Sequence, residues 1–215
     1  MWYSSGRPYT RRMNDAGSNL ARVEPIFYFD FSSPFAYLAA SRIDDVLPRM
    51  PRWVPISMAF VTSAHERIPW SMREESKERG KRECEERAAE YGLPPLRWPS
   101  GWPLDSYSLP ALRAAYVAAG AGCLRGFSRA AFERNFLDGS GLGTEADLRA
   151  VTEIAGLDSD HVLAEVRRPA IKEKLKLETE NAIRTGVFGV PTVLAGEELF
   201  WGDDRLTEAA QALGA

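Results

Sequence analysis

Residues that carry chemistry are sparse in this 215-residue chain. Its two cysteines, Cys84 and Cys123, form no C-x-x-C pair and no spaced set with histidine. The two histidines, His65 and His161, are too few and too scattered for a metal site, so no metal is expected. More informative is Ser32-Ser33-Pro34, where an apolar run stops and a helical pattern begins. Ser33 fits a helix N-cap and Pro34 the first helical position. A helix start leaves N–H groups unpaired and carries a dipole that favours an anion. Asp203-Asp204 precedes a last helix in the same way, where Asp204 caps it or pairs with Arg205. Val190-Pro191 follows a turn, and such an X-Pro bond can be cis. The glycine-rich Asp138–Gly143 lacks both a preceding strand and a Gly-Lys-Ser/Thr, so it is a loop and not a phosphate cradle.

The elements that must position these residues follow from periodicity. Ile26–Phe31 is short, apolar and aromatic, a buried strand. Phe35–Leu47 has helical spacing, and Trp53–Met58 makes a second strand beside the first, completing a βαβ opening. Ser71–Tyr91 is dense in Arg, Lys and Glu at spacings of three and four, which predicts a solvated helix. Gly92–Tyr107 breaks into Pro, Trp and Gly. Helices are then expected at Leu109–Ala119, Ser128–Leu137, Thr144–Ala155 and Ser159–Val166, the third opened by a capping box with Asp147 in place of Glu. Ala170–Thr185 is helical and ends at Gly186. Val187–Ala195 turns through Gly196-Glu197-Glu198 into Leu199–Trp201, and Leu206–Leu213 closes the chain. The layout is βαβ, a helical block, then αββα.

Composition narrows the class. With 27 basic and 30 acidic side chains the formal net charge is -3, which excludes a strongly basic nucleic-acid surface. No stretch reaches the ~18 consecutive apolar residues of a membrane helix. Ten Phe, seven Tyr and six Trp argue against disorder over most of the length. Residues 1–23 are polar, lack an apolar signal core and carry Arg7, Arg11, Arg12 and Arg22; a flexible extension is expected, with a transit peptide as the alternative. A cytoplasmic protein with reduced cysteines is expected.

Four stretches together resemble a known group: Tyr28-Phe29-Asp30-Phe31-Ser32-Ser33-Pro34-Phe35-Ala36-Tyr37-Leu38, Phe188-Gly189-Val190-Pro191-Thr192, Phe200-Trp201-Gly202 and Asp204-Arg205-Leu206. Their order and spacing resemble the 2-hydroxychromene-2-carboxylate isomerases and the related kappa-class glutathione transferases. The resemblance implies an α/β protein, a DsbA-like thioredoxin fold with a large helical insertion. Residues 24–60 and 168–215 would form the thioredoxin-like domain and 61–167 the insertion.

In that family Ser33 would contact a glutathione thiolate. Ser33 and Ala36 stand where redox relatives carry cysteines, so dithiol chemistry is excluded there. The resemblance further implies that Val190 and Pro191 pair with the backbone of glutathione in the manner of an added strand. Asp203 and Asp204 would hold its γ-glutamyl end. The expected activity is a glutathione-dependent isomerase adding the thiolate reversibly to an unsaturated aromatic acid. A kappa-like transferase and a non-catalytic peptide-binding module are the alternatives. A homodimer is expected from the relatives. One departure stands out: relatives carry an Asn after the second strand, where this chain reads Val61–Trp70 without one, so the contact is lost or replaced, or another low-molecular-weight thiol is used. Trp98 and Trp102 would line an aromatic pocket or pack in the core. His65 is a nearby base or a surface loop residue, and Lys77 and Lys81 reach a glutathione carboxylate or face solvent.

Overall fold

The structure is a computed structural model that describes residues 24–104 and 108–214. The extension expected over residues 1–23 lies outside the described residues.

A four-stranded sheet in the order β2-β1-β3-β4 carries the molecule. β1 (Ile26–Phe29) pairs parallel with β2 (Arg52–Pro55) and antiparallel with β3 (Thr192–Ala195), which pairs antiparallel with β4 (Glu198–Trp201). The parallel pair is joined by a helical crossover, as a parallel ladder requires. The hairpin closes through Gly196-Glu197, with Gly196 at φ 65°.

Period-two alternation sends the strand side chains to two cores. Phe27, Phe29, Trp53, Val193 and Phe200 face one side with α1 (Pro34–Ala40) and α10 (Leu206–Ala212). Tyr28, Val54 and Leu194 face the other with Ala182 of α9 (Pro169–Arg184). The helical block adds α4 (Glu74–Glu90), α5 (Leu109–Gly120), α6 (Leu124–Phe136), α7 (Glu145–Ile154) and α8 (Ser159–Glu165). Phe127, Phe132 and Phe136 of α6 enter the first core directly against Phe29, Phe31 and Tyr37. Sheet and insertion therefore share one hydrophobic interior. The fold is the α/β thioredoxin-like one expected, with its helical insertion.

Three local readings need correction. The single helix expected over Phe35–Leu47 is two, α1 and α2 (Ile43–Val46). Between them the Ser41 hydroxyl donates to the Tyr37 carbonyl at 2.9 Å, and Arg42 leaves helical geometry at φ −124°. The second strand ends at Pro55, and an unforeseen helix α3 spans Met58–Ala64. Its first N–H, that of Met58, is accepted by Asp30 Oδ2 at 2.8 Å, from 28 positions away. A cap supplied by another strand leaves no local sequence signal. Third, α6 begins at Leu124 rather than Ser128, despite Gly126 within it. Two local signals hold: Thr144 and Asp147 form a reciprocal capping box, and Gly186 follows α9 at φ 99°.

Candidate active-site cleft

Ser33 stands where β1 hands over to α1. Its Oγ accepts the Ala36 N–H at 3.2 Å, the N-cap role expected of it. The same hydroxyl points to the Val190 carbonyl at 3.5 Å, the outer limit of a hydrogen bond. Its proton is thus only weakly committed. The Val190–Pro191 peptide is cis, and the Pro191 carbonyl accepts the Gly202 N–H at 3.0 Å. Those contacts bring the α1 start, the turn before β3 and the end of β4 to one place.

Asp30 holds that place from beneath. It is buried, and its carboxylate accepts four hydrogen bonds: from Ser32 N and Ser32 Oγ at 2.9 Å, Ser108 Oγ at 2.7 Å and Met58 N at 2.8 Å. One side chain ties the site turn to the starts of α3 and α5. Burial pushes its pKa above the usual carboxylate range, and the four hydrogen bonds pull the other way. The turn is fixed further by Asn135, which donates to the Phe31 carbonyl at 2.8 Å, and by Trp102 Nε1, which donates to the Ser32 carbonyl at 3.3 Å.

The acidic pair after β4 divides by role. Asp203 is 1% exposed, and its carboxylate is engaged by Arg87 at 2.8 Å and by the Tyr91 hydroxyl at 3.0 Å. Burial raises its pKa against the pull of Arg87 and Tyr91. Asp203 thus holds Arg87 in place at the edge of the cleft. Asp204 is half-exposed, with Oδ2 3.6 Å from Arg87, and is the freer carboxylate. Gly202, at φ 124°, makes room for it, since a Cβ there would lie 2.3 Å from Asp204 Oδ1. Glu83 adds a third carboxylate 2.6 Å from Arg87. Burial opposes the Arg87 charge, yet these three acids keep its pKa raised.

All five residues singled out from sequence, Ser33, Val190, Pro191, Asp203 and Asp204, line one cleft of about 890 Å³. Its apolar wall is built from Phe35, Trp70 and Trp102, in edge or tilted contact at 5.8 and 5.5 Å. Trp98 backs Trp102 from behind at 4.8 Å. Lys77 and Lys81 are not among the lining residues; Lys77 pairs with Glu74, and Lys81 with Glu78. The cations that do line it are Arg67, Arg73, Arg79 and Arg87, which sequence reasoning did not single out. For Arg79 and Arg87 the signal was present in α4, where Ser76, Arg79, Glu83 and Arg87 recur at helical spacing and face the cleft. The adjacent run of Gly80, Cys84 and Ala88 is buried, so α4 is packed along one side rather than solvated throughout.

Neither cysteine joins the site. Cys84 is fully buried, and burial with the nearby Asp203 and Glu83 charges pushes its thiol pKa up, which keeps it protonated. His65 lies outside the cleft lining, its Nε2 3.3 Å from the Val187 carbonyl. Among the described residues no group of three or more His, Cys, Asp or Glu could hold a metal ion. No helix among them is long and apolar enough to cross a membrane.

Comparison with known proteins agrees with this geometry. The DSBA-like thioredoxin domain matches residues 26–214. A 2-hydroxychromene-2-carboxylate isomerase of Sphingobium xenophagum is 31% identical over 185 residues, 84% of this chain and 92% of that protein. One from Pseudomonas sp. strain C18 is 30% identical over 193 residues, 87% of this chain and 89% of the relative. The solved structure of a 2-hydroxychromene-2-carboxylate isomerase superposes with a TM-score of 0.80 at 27% identity, covering 89% of this chain and 95% of that one. The serine-for-cysteine start of α1, the fold around it and these relatives lead to one assignment: the chain belongs to the DSBA-like thioredoxin-domain family and, within it, to the 2-hydroxychromene-2-carboxylate isomerases.

Proposed function

We propose that the chain is a glutathione-dependent isomerase of an unsaturated aromatic acid, with the thiolate of glutathione held at Ser33. The observation that carries the reading is the Ser33 hydroxyl, weakly committed at 3.5 Å to Val190, inside a cleft that also holds Asp204 and several arginines. Glutathione carries a thiol, one ammonium and two carboxylates. The hydroxyl can donate to a thiolate, Asp204 can face the ammonium, and the arginines suit carboxylates. The backbone N–H and C=O of Val190 suit a peptide laid alongside as an added strand. At about 890 Å³ the cleft is near the top of the range for small-molecule sites, ~300–1,000 Å³, which suits a thiol and an aromatic acid together.

The chemistry then balances without an added reactant. The thiolate adds to the unsaturated carbon, a C–S bond forms, and the electron pair moves onto the conjugated acyl system. The former double bond, now single, rotates. The electron pair returns, the C–S bond breaks, and the thiolate goes back to the Ser33 hydroxyl. The protein contributes position and charge stabilisation. The aromatic wall of Phe35, Trp70 and Trp102 supports an aromatic substrate.

Calorimetric titration of reduced glutathione into the wild type and Ser33→Ala tests the reading. Saturable binding with proton release is expected for the wild type. Loss of a thiol pKa depression of about two units, worth about 2.7 kcal/mol, should abolish that release in the variant. No wild-type binding at millimolar glutathione would reject the glutathione enzyme and leave another low-molecular-weight thiol or a peptide as the ligand to test.

A further inference from the structure

One cation of the cleft is held by two rings and a carbonyl rather than by an acid. The Arg67 guanidinium lies 5.5 Å from the centroids of both Phe188 and Trp201, whose rings are themselves 4.7 Å apart. Its Nη1 donates to the Phe188 carbonyl at 3.3 Å. Among the described residues it has no ion pair, whereas Arg87 across the cleft has three carboxylates around it. Gly189 permits the arrangement, because a Cβ there would lie 2.5 Å from the Trp201 indole nitrogen.

A Schellman-type end to α3 delivers this side chain, with Glu66 N donating to the Ser63 carbonyl at 3.2 Å. Glu66, immediately before it, has φ 52°, and among the described residues it is the one non-glycine with positive φ. The turn is pinned by Arg67 N donating to the Thr62 carbonyl at 2.9 Å and by the His65 ring at the Val187 carbonyl.

We propose that Arg67 is a specificity-determining residue that binds a carboxylate of the ligand in the cleft. A guanidinium set 5.5 Å from two ring centroids, with one N–H on a carbonyl, has its orientation restricted and keeps further N–H donors for a planar carboxylate. Arg73 and Arg79, which also line the cleft without an ion pair among the described residues, strengthen the local positive field. Two ligands could bring that carboxylate: the thiol, through the glycine end of glutathione, or the aromatic acid. The thiol alternative rests on the function proposed above; the acid alternative does not.

The test compares wild type, Arg67→Gln and Arg67→Lys, all first checked for equal melting temperature. Two probe pairs are titrated: reduced glutathione against its glycine ethyl ester, and trans-cinnamate against cinnamamide. The wild type should prefer the acid of one pair by roughly five- to tenfold, the worth of an exposed charged hydrogen bond. Arg67→Gln should reduce that preference to about one, and Arg67→Lys should restore part of it, since Lys keeps charge but not the planar fork. The pair that loses its preference identifies the source of the carboxylate. A preference untouched by Arg67→Gln, or none in the wild type, overturns the proposal. Glutathione binding that depends on Ser33 alongside that result would leave the thiol reading standing. Arg67-dependent choice of cinnamate without glutathione binding would do the reverse.

Discussion

At the scale of single residues, the buried acid Asp30 decides more about the cleft than its position in the chain suggests. Its raised pKa has a definite consequence for stability. Because the folded value exceeds the unfolded one near 3.9, the ionised carboxylate costs stability at neutral pH, and the cost is relieved as pH falls through the folded pKa. Asp30→Asn removes that titration and aims an NH2 group at a cage made of donors. Leaving one or two buried donors unmatched costs roughly 1–3 kcal/mol each. Asp30→Asn is therefore expected to be less stable than wild type near pH 7, with a deficit that widens as pH falls through the folded pKa. Urea melts along a pH series from neutral down to the unfolded value near 3.9 check this; a deficit constant over the whole series would mean that the Asp30 pKa is unchanged on folding.

The same residues mark what could be read from sequence. Ser33, Val190, Pro191, Asp203 and Asp204 were legible because motif and spacing placed each at the end of an element, and they converge on one cleft. Asp30 stands inside a legible motif, yet nothing local reveals its weight, since its value lies in partners 28 and 78 positions away. Asp203 was legible as a position, but its partners were not, because Arg87 and Tyr91 reach it across 116 and 112 positions. Arg67 was hidden for a related reason: what distinguishes it is a positive φ at Glu66 and two rings from another part of the chain.

At the scale of elements, α4 shows how a charged helix can be a wall of the site. Its Gly80 is buried against the Trp70 ring, and an added Cβ would stand 2.3 Å from it. Alanine would gain up to about 1 kcal/mol of helix propensity, while overpacking costs about 1–3 kcal/mol. Gly80→Ala should then be destabilising by about 1 kcal/mol and should shift tryptophan emission, as Trp70 leaves Phe35 and Trp102. Gly126 in α6 is the internal comparison, since a Cβ added there would meet nothing within 4 Å. Gly126→Ala should stabilise by roughly 0.5–1 kcal/mol with emission unchanged. Thermal melts and fluorescence of the pair check both signs. Local capping signals were readable in such elements, as at Thr144 and Asp147; the Gly80–Trp70 contact was not, because it joins a helix to a preceding turn.

At the scale of the whole molecule, charge and exposure are distributed towards one use. The net charge is -3, yet the cleft keeps three arginines without an ion pair among the described residues. Exposed large apolar side chains are similarly concentrated. Phe60, Ile68, Met72, Leu104 and Trp201, all between 44% and 72% exposed, line this same cleft, whereas Met50, Ile154 and Leu177 do not. A rim of this kind marks a surface that an apolar ligand covers. If an aromatic acid covers on the order of 40 Å² of Met72, at ~25 cal/mol/Å² the contact is worth about 1 kcal/mol, or about fivefold in affinity. Met72→Ser should weaken binding of trans-cinnamate by about that factor and make the heat-capacity change of binding less negative, while stability stays within about 0.5 kcal/mol. Ile154→Ser removes a side chain of similar exposure, 69% against 54%, from outside the cleft, and should leave the titration unchanged. Equal loss in both variants would show that the probe binds by general surface hydrophobicity, and no loss in either would place the aromatic body deeper, against Phe35, Trp70 and Trp102. The pair of variants sets position against chemistry: the two substitutions remove much the same exposed apolar surface, and only one removes it where the arginines and Ser33 converge.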